Sequence, residues 1–225
     1  VFYHANNKLL KEGVKAFQLD GISYGSEDSG VKGELLQEGE FLSLNLNIGK
    51  YNSTVHSRLI GSYNLENILA AVCIGNHFGV PNQDIIYAIE NYIPRNNRSQ
   101  FIKTKKNNVY LDAYNANPSS VELSVKNFAS LKKEDSWLIL GDMLELGEVS
   151  KMEHKKVIDL VRFFNFARVI LVGNIFNSLS VPDGFLQFES VNELKKWFLE
   201  NNIEHSNVLV KGSRGIQLES IVEYL

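Results

Sequence analysis

The stretch LDAYNANPSS, Leu111–Ser120, decides how the rest of the chain is read. It leaves an apolar run, Val109, Tyr110 and Leu111, that reads as a buried strand, and it enters a tight polar turn. The turn opens a helix. Asn117 supplies a cap, and Pro118 suits a first turn, where a missing N–H costs nothing. Val121, Val125, Phe128 and Leu131 then fall on one helical stripe. A carboxylate, a phenol and two amides (Asp112, Tyr114, Asn115, Asn117) are thereby gathered at the C-terminal end of a strand, where open α/β sheets bind ligands. A well-capped strand–helix turn accounts for Asn117 and Pro118, but not for the polar groups before them.

Downstream, apolar runs recur at Trp137–Leu140, Val169–Val172 and Val208–Val210. Each is followed by glycine and polar groups: Gly141-Asp142, Gly173-Asn174 and Gly212-Ser213-Arg214. Ser150 with Glu153, and Ser190 with Glu193, have the spacing of capping boxes. The helices behind them carry Val157, Leu160, Val161 and Phe164, and Leu194, Trp197 and Phe198. Phe185–Phe188 is a further short strand, and a last helix carries Ile221, Val222 and Leu225. Fully apolar strands alternating with amphipathic helices predict an α/β, Rossmann-like parallel sheet covered on both faces. No G-x-G-x-x-G follows any strand, so a dinucleotide is not indicated.

In such a sheet the strand ends bring together Asp112, Tyr114, Asn115, Asp142, Glu145, Asn174, Lys211, Ser213 and Arg214. Lys211 and Arg214 are cationic donors suited to carboxylate or phosphate. An alternative for any one of them is structural, with Asp142 and Arg214 pairing to stitch two loops. His154, in the first turn of its helix, reads as a surface or supporting histidine, not as a catalytic base. Neither a metal-ligand spacing nor a nucleophile triad stands out.

Upstream, Val1 to about Leu59 is poor in helix signals. Strands are expected at Val1–His4, Lys15–Leu19, Ile22–Tyr24, Lys32–Gln37, Phe41–Ile48 and Tyr51–Arg58, with Gly49-Lys50 as a hairpin turn. Gly61–Tyr92 reads as two helices. The first carries Leu65, Ile68, Leu69 and Val72 and ends at Gly79; the second starts at Pro81 with Ile85, Ala88, Ile89 and Tyr92 inward. Asn64 and Asn67 share a face near the start of the first. Pro94–Ser99 reads as a linker, which divides the chain into domains at 1–93 and 94–225. Phe101–Lys103 and Val109–Leu111 read as a hairpin, with Lys103, Lys105 and Lys106 on its solvated face.

With 23 Lys+Arg against 26 Asp+Glu, the chain has no basic surplus to attract nucleic acid. One cysteine, Cys73, rules out an internal disulfide and fits a reducing, cytoplasmic setting. No apolar run has the length of a membrane span. The chain begins at Val1 within an expected strand, so it reads as a fragment of a longer protein.

Four motifs carry a resemblance: GSYNLENILAA at Gly61–Ala71, DAYNANPSS at Asp112–Ser120, LGDMLELG at Leu140–Gly147 and KGSRG at Lys211–Gly215. Together they resemble the Mur ligase family of ATP-dependent amide-forming enzymes. Within it they are most similar to the branch that joins D-alanyl-D-alanine to UDP-N-acetylmuramoyl-tripeptide in peptidoglycan precursor synthesis. Residues 1–93 would then be the last part of a central ATPase domain, strand-rich and ending in two helices, and residues 94–225 the Rossmann-like C-terminal domain.

The resemblance implies that Asn64, Asn67, Arg98, Asp112 and Tyr114 contact ATP. It implies that Asn115, Asn117, Asp142, Glu145, Lys211, Ser213 and Arg214 face the incoming dipeptide. Tyr63 stands where the family often has histidine. The implied chemistry is phosphorylation of the tripeptide's terminal carboxylate, then attack by the dipeptide amine on the acyl phosphate. The family's phosphate loop, Mg²⁺ ligands and modified lysine have no matching positions here, so the fragment is expected to be inactive alone and the full-length enzyme monomeric. The alternatives are another Mur or folylpolyglutamate-type ligase, or a non-catalytic nucleotide- or peptide-binding module.

Overall fold

The computed structural model describes residues 1–26, 28–37, 39–164 and 166–225. The chain divides into two compact units, Val1–Ile93 and Pro94–Leu225.

In the first unit, β1 (Phe2–His4) and β2 (Ile22–Tyr24) pair in parallel across α1 (Lys8–Ala16). Strands β3 (Val31–Gln37), β4 (Ser43–Ile48) and β5 (Tyr51–His56) form an antiparallel sheet in that order. Leu44, Leu46 and Ile48 of β4 turn inward at period two, against α2 (Asn64–His77) and α3 (Asn82–Asn91). Gly49, at φ 59°, turns β4 into β5.

Three expectations fail in this unit. Lys15–Leu19 is no strand: Lys15 and Ala16 end α1, and Phe17 caps it. The helix starts at Asn7, whose Oδ1 accepts the Leu10 N–H, and it buries no residue. Its apolar residues Leu10, Val14 and Phe17 nevertheless recur at helical spacing, so an amphipathic stripe is present although none of it is buried. In α3, Ala88 and Tyr92 face outward and Ile85, Ile86 and Ile89 face the core. Pro81 is the residue before that helix, not its first.

The second unit is one six-stranded sheet, with strand order β10-β9-β8-β11-β7-β6. The strands are β6 (Gln100–Lys103), β7 (Asn108–Asp112), β8 (Ser136–Gly141), β9 (Arg168–Val172), β10 (Phe185–Phe188) and β11 (Asn207–Lys211). All neighbours are parallel except the β6–β7 hairpin. The core strands β7, β8, β9 and β11 bury their apolar runs on both faces, as a covered parallel sheet requires. The helices are α4 (Pro118–Ser130), α5 (Ser150–Val161), α6 (Asn174–Asn177) and α7 (Val191–Glu200).

Helix starts are set locally. Asn117 Oδ1 accepts the Ser120 N–H at 2.9 Å, and Ser120 Oγ accepts the Asn117 N–H at 3.1 Å, a reciprocal cap. Ser190 Oγ caps α7 by accepting the Glu193 N–H. Ser150 does not cap α5. A 3₁₀ turn, Gly147–Val149, runs straight into the helix and supplies its first acceptor, so no side-chain cap forms. The last helix is a 3₁₀ segment, Leu218–Tyr224, seated on the core by Leu218 and Ile221.

The position of the last strand matters most. β11 inserts between β7 and β8, with Lys211 in register beside Asp112 on one side and Leu140 on the other. The C-terminal ends of these strands therefore converge on one edge of the sheet. Gly141 and Gly212 let the chains leave closely: a Cβ on Gly212 would stand 3.1 Å from the Gly141 Cα.

Candidate functional site

The site in the second unit is built around Asp112. Register alone puts Lys211 next to it, and Nζ reaches Asp112 Oδ2 at 2.6 Å with both side chains largely enclosed. Ser124 Oγ on α4 also donates to Oδ2, and the Ser99 N–H donates to Oδ1. Lys211 Nζ donates as well to the Asn115 carbonyl, which pins the turn between strand and helix. The pair is thus enclosed, hydrogen-bonded and charge-neutral.

Arg98, Asn97 and Ser99 come from the segment before β6. Asn97 and Ser99 have φ of 57° and 46°, a left-handed bend that brings the Asn97 carbonyl to the Tyr114 N–H at 3.1 Å. The bend lays Arg98 on Tyr114, with its guanidinium carbon 3.8 Å from the ring centroid. Arg214, from the 3₁₀ turn Arg214–Ile216, stands 5.2 Å from the same centroid. The ring's π face holds both cations. Among the described residues neither guanidinium has a carboxylate partner. With Asp112 and Lys211 cancelling, this edge carries two uncompensated positive charges, a surface suited to phosphate or carboxylate.

Asp142 is placed quite differently. It is 2% exposed. Its carboxylate accepts the Ile175 and Phe176 N–H groups, each at 2.9 Å, at the start of α6. Gly173, at φ 125°, passes so close that a Cβ there would overlap the carboxylate. Asp142 is therefore a tie between β8 and α6, and it does not pair with Arg214. Its backbone carbonyl accepts the Ser213 N–H at 3.2 Å, and Ser213 Oγ accepts the Leu144 N–H at 2.9 Å. The LGDMLELG and KGSRG turns are thus laced together.

His154 is fully buried, contrary to a surface placement. Nδ1 donates to the Ser150 carbonyl at 2.7 Å, and Nε2 accepts the Met143 N–H at 2.9 Å. Burial pushes its pKa below the ordinary histidine value, outweighing the Ser150 carbonyl and the Asp142 charge, which push it up. Nε2 lies 3.5 Å from Asp142 Oδ1, but a nitrogen that accepts an N–H carries no proton, so the contact is not an ion pair.

The remaining expected residues are scattered. Asn115 is exposed, and Asn117 spends its side-chain oxygen on the helix cap and on the Ser119 hydroxyl. Glu145 is exposed on its turn at φ 66°. In the first unit Asn67 Nδ2 donates to Asn64 Oδ1, and Asn64 Nδ2 donates to the Ile60 carbonyl, both at 2.8 Å. Sequence reasoning missed Ser99, Ser124 and the buried role of His154. Ser124 sits on the inward stripe of α4 as its one polar member, and that is the signal that could have found it. Among the described residues no group of three or more His, Cys, Asp or Glu could hold a metal ion, and no helix is long and apolar enough to cross a membrane.

Residues 97–214 match the model of the Mur ligase, glutamate ligase domain. The UDP-N-acetylmuramoyl-tripeptide–D-alanyl-D-alanine ligase of Bacillus subtilis is 29% identical over 178 residues, 74% of this chain and 38% of that protein. The chain thus spans well under half the length of that relative. MurF from Acinetobacter baumannii has the same fold with a TM-score of 0.83, at 23% identity, over 99% of this chain and 50% of that one. The MurF ligase of Thermotoga maritima, solved in complex with ADP, gives 0.80 at 17% identity, over 99% of this chain and 52% of that one. The structural likenesses speak for the fold, and the domain match over the residues that build the Asp112 edge speaks for the family: this chain belongs to the Mur ligases.

Proposed function

We propose that the chain is the C-terminal part of a cytoplasmic, monomeric, ATP-dependent ligase that joins D-alanyl-D-alanine to UDP-N-acetylmuramoyl-tripeptide. Residues 1–93 are the end of its ATP-binding central domain and residues 94–225 its C-terminal domain. The name carried by the Bacillus subtilis relative supports the reaction, and the ADP in the Thermotoga maritima structure supports the nucleotide.

One observation in this chain carries the reading: the Arg98–Tyr114–Arg214 stack beside the neutral Asp112–Lys211 pair. Both substrates bring anions, the phosphates of ATP and the terminal carboxylate of the dipeptide. Two cations on an aromatic ring match them, because guanidinium binds both anions through paired N–H donors. The residues present fit a nucleotide: Arg98 offers donors to phosphate, Tyr114 an aromatic face, and Asp112 acceptor oxygens for ribose hydroxyls. Asn64 and Asn67 are assigned as further nucleotide contacts. Arg214, Asn115 and Lys211 are assigned to the dipeptide side.

Asn117, Glu145, Asp142 and Ser213 belong to the same wall in different ways. Asp142, Ser213 and Asn117 hold its turns in place, and Glu145 stands on its exposed rim. ATP supplies the phosphoryl group that activates the tripeptide carboxylate as an acyl phosphate. This chain's residues orient nucleotide and dipeptide, while the phosphate loop and Mg²⁺ ligands are assigned outside residues 1–225. Positioning of this kind is a large part of phosphoryl-transfer catalysis.

The test is phosphate release by the protein extended upstream, with ATP, Mg²⁺ and UDP-N-acetylmuramoyl-tripeptide, with and without D-alanyl-D-alanine. Release that depends on the dipeptide is expected, and residues 1–225 alone should be silent. Release that depends on a different amino acid would move the protein to another branch of the family. No release at all would overturn the ligase reading in favour of a binding module.

A further inference from the structure

The buried histidine is a titratable group at this edge that the reaction above does not use. Its surroundings connect it to the ligand-facing wall through an unbroken set of contacts. His154 Nε2 holds the Met143 N–H. The next amide, Leu144, is held by Ser213 Oγ, and the Ser213 N–H returns to the Asp142 carbonyl. Ser213 immediately precedes the 3₁₀ turn that carries Arg214, and Arg214 stands over Tyr114. The His154 ring is itself fixed by the Ser150 carbonyl and by the edge of Phe176, at 4.6 Å between centroids.

We propose that His154 is a positioning residue of the ligase: as a neutral imidazole protonated on Nδ1 alone, it locks the 142–144 turn, and through Ser213 it fixes Arg214 for the dipeptide. The proposal rests on the ligase reading for what Arg214 binds, but not for what His154 holds. Only this tautomer serves. With the proton on Nε2, two donors would meet head to head at Met143 while Nδ1 faced a carbonyl with nothing to give it.

The imidazolium fails for the same reason. Its Nε2–H would turn from Met143 toward Asp142 Oδ1, 3.5 Å away and already accepting the Phe176 N–H. Asp142 is the charged group that faces the ring. On the elements packed against α5, Glu122 and Lys126 of α4 are exposed and pair with each other, Glu148 of the Gly147–Val149 turn is exposed, and α6 carries no charge. On α5 itself Glu153 pairs with Lys156, Asp159 is exposed and pairs with Arg162, and Lys151 and Lys155 are exposed. Acid should therefore unlock the turn by charging this one ring.

Two measurements test this. In the 225-residue chain, ¹⁵N NMR of the His154 ring at neutral pH should give a protonated Nδ1 and an unprotonated Nε2, with the Met143 amide slow to exchange. An Nε2–H or doubly protonated ring would overturn the proposal. In the longer ligase, His154→Ala should lower kcat/KM for D-alanyl-D-alanine about tenfold, mostly through KM, and leave KM for ATP within about twofold. His154→Gln places an amide oxygen near the Nε2 position. It should restore most of the loss and should flatten the fall in kcat/KM on the acid side. Equal effects of both variants on the two substrates, or an acid limb unchanged in His154→Gln, would reduce His154 to a packing residue. Absence of any turnover by the wild-type ligase would sink the functional reading instead, and the ring's tautomer would still decide whether His154 locks the turn.

Discussion

Two strands of the second unit lead into an aspartate, and the two carboxylates live in opposite surroundings. Asp112 ends β7, meets the Lys211 ammonium and leaves two arginines nearby without an acidic partner. Asp142 follows β8 by one residue, turns inward, and is satisfied by two backbone N–H groups and no cation. A sheet edge needs both kinds. One neutralises the cation that register places beside it, so that the charges of Arg98 and Arg214 are left uncompensated at the edge. The other fastens a short helix and two glycine-bounded turns, so that the edge stays in place. In sequence each is an aspartate after an apolar run. β11 lies alongside both strands, and what separates the two aspartates is register: it sets Lys211 beside Asp112 in β7 but beside Leu140, two residues before Asp142, in β8.

The contrast is sharpest in Lys211→Met. Removing one partner of an enclosed ion pair leaves the other charge uncompensated, which costs about 3 kcal/mol. Asp112 is not fully enclosed, so the lower end of the usual range applies. Denaturant unfolding of the chain should register the loss, and the double variant Lys211→Met with Asp112→Asn should recover part of it. A single variant as stable as wild type would mean that the pair is solvated.

Asp142→Ala should cost somewhat less, about 2 kcal/mol, because it strands two N–H donors rather than a charge. Asp142→Asn retains one acceptor oxygen and should lie midway. If the alanine variant unfolds like wild type, the tie to α6 is not what holds the edge together.

How much of this was legible beforehand differs between the two aspartates. The strand runs, the β6–β7 hairpin and the capped start of α4 all follow from local chemistry, because apolar periodicity and caps are written over a few residues. The insertion of β11 between β7 and β8 is not local. It joins residues 99 apart in the chain, Asp112 and Lys211, and nothing near either one encodes the pairing. Asp142 drew attention for the right reason, a carboxylate after a strand, but its partners are backbone amides that any residue except proline at 175 and 176 would supply. His154 was hard for the same reason. Its acceptors and donors are main-chain groups, and a lone histidine in a helix's first turn resembles many exposed ones. The α1 helix was missed although Leu10, Val14 and Phe17 lie at helical spacing: over nine residues, with Gly13 inside it, that stripe is short, and the structure buries none of it.

Acidification gives a smaller effect that isolates the Asp142 side. The folded state favours neutral His154, so its pKa lies below that of the unfolded chain, about 6.5. Between those two values the unfolded state binds more protons, so stability is full above about pH 6.5 and declines as pH falls through the window. Subtracting the His154→Gln unfolding profile from the wild-type one should expose this decline. Parallel profiles would show that the ring does not titrate in that window.

The Asp112 side offers the smallest effect and the cleanest control. Tyr114→Phe keeps the aromatic face and should leave stability and ADP binding by the longer protein unchanged, because the two arginines use the ring and not the hydroxyl. Tyr114→Leu keeps bulk but removes the quadrupole. Exposed cation–π contacts contribute roughly 0.5–1 kcal/mol, and the loss here is expected at the lower end because both guanidiniums are solvent-facing. ADP affinity should fall about two- to threefold as Arg98 becomes free to wander, measured by calorimetry at fixed ionic strength. If phenylalanine and leucine behave alike, the stack only fills space; if phenylalanine alone is silent, the ring holds the cations that the Asp112–Lys211 pair leaves uncompensated.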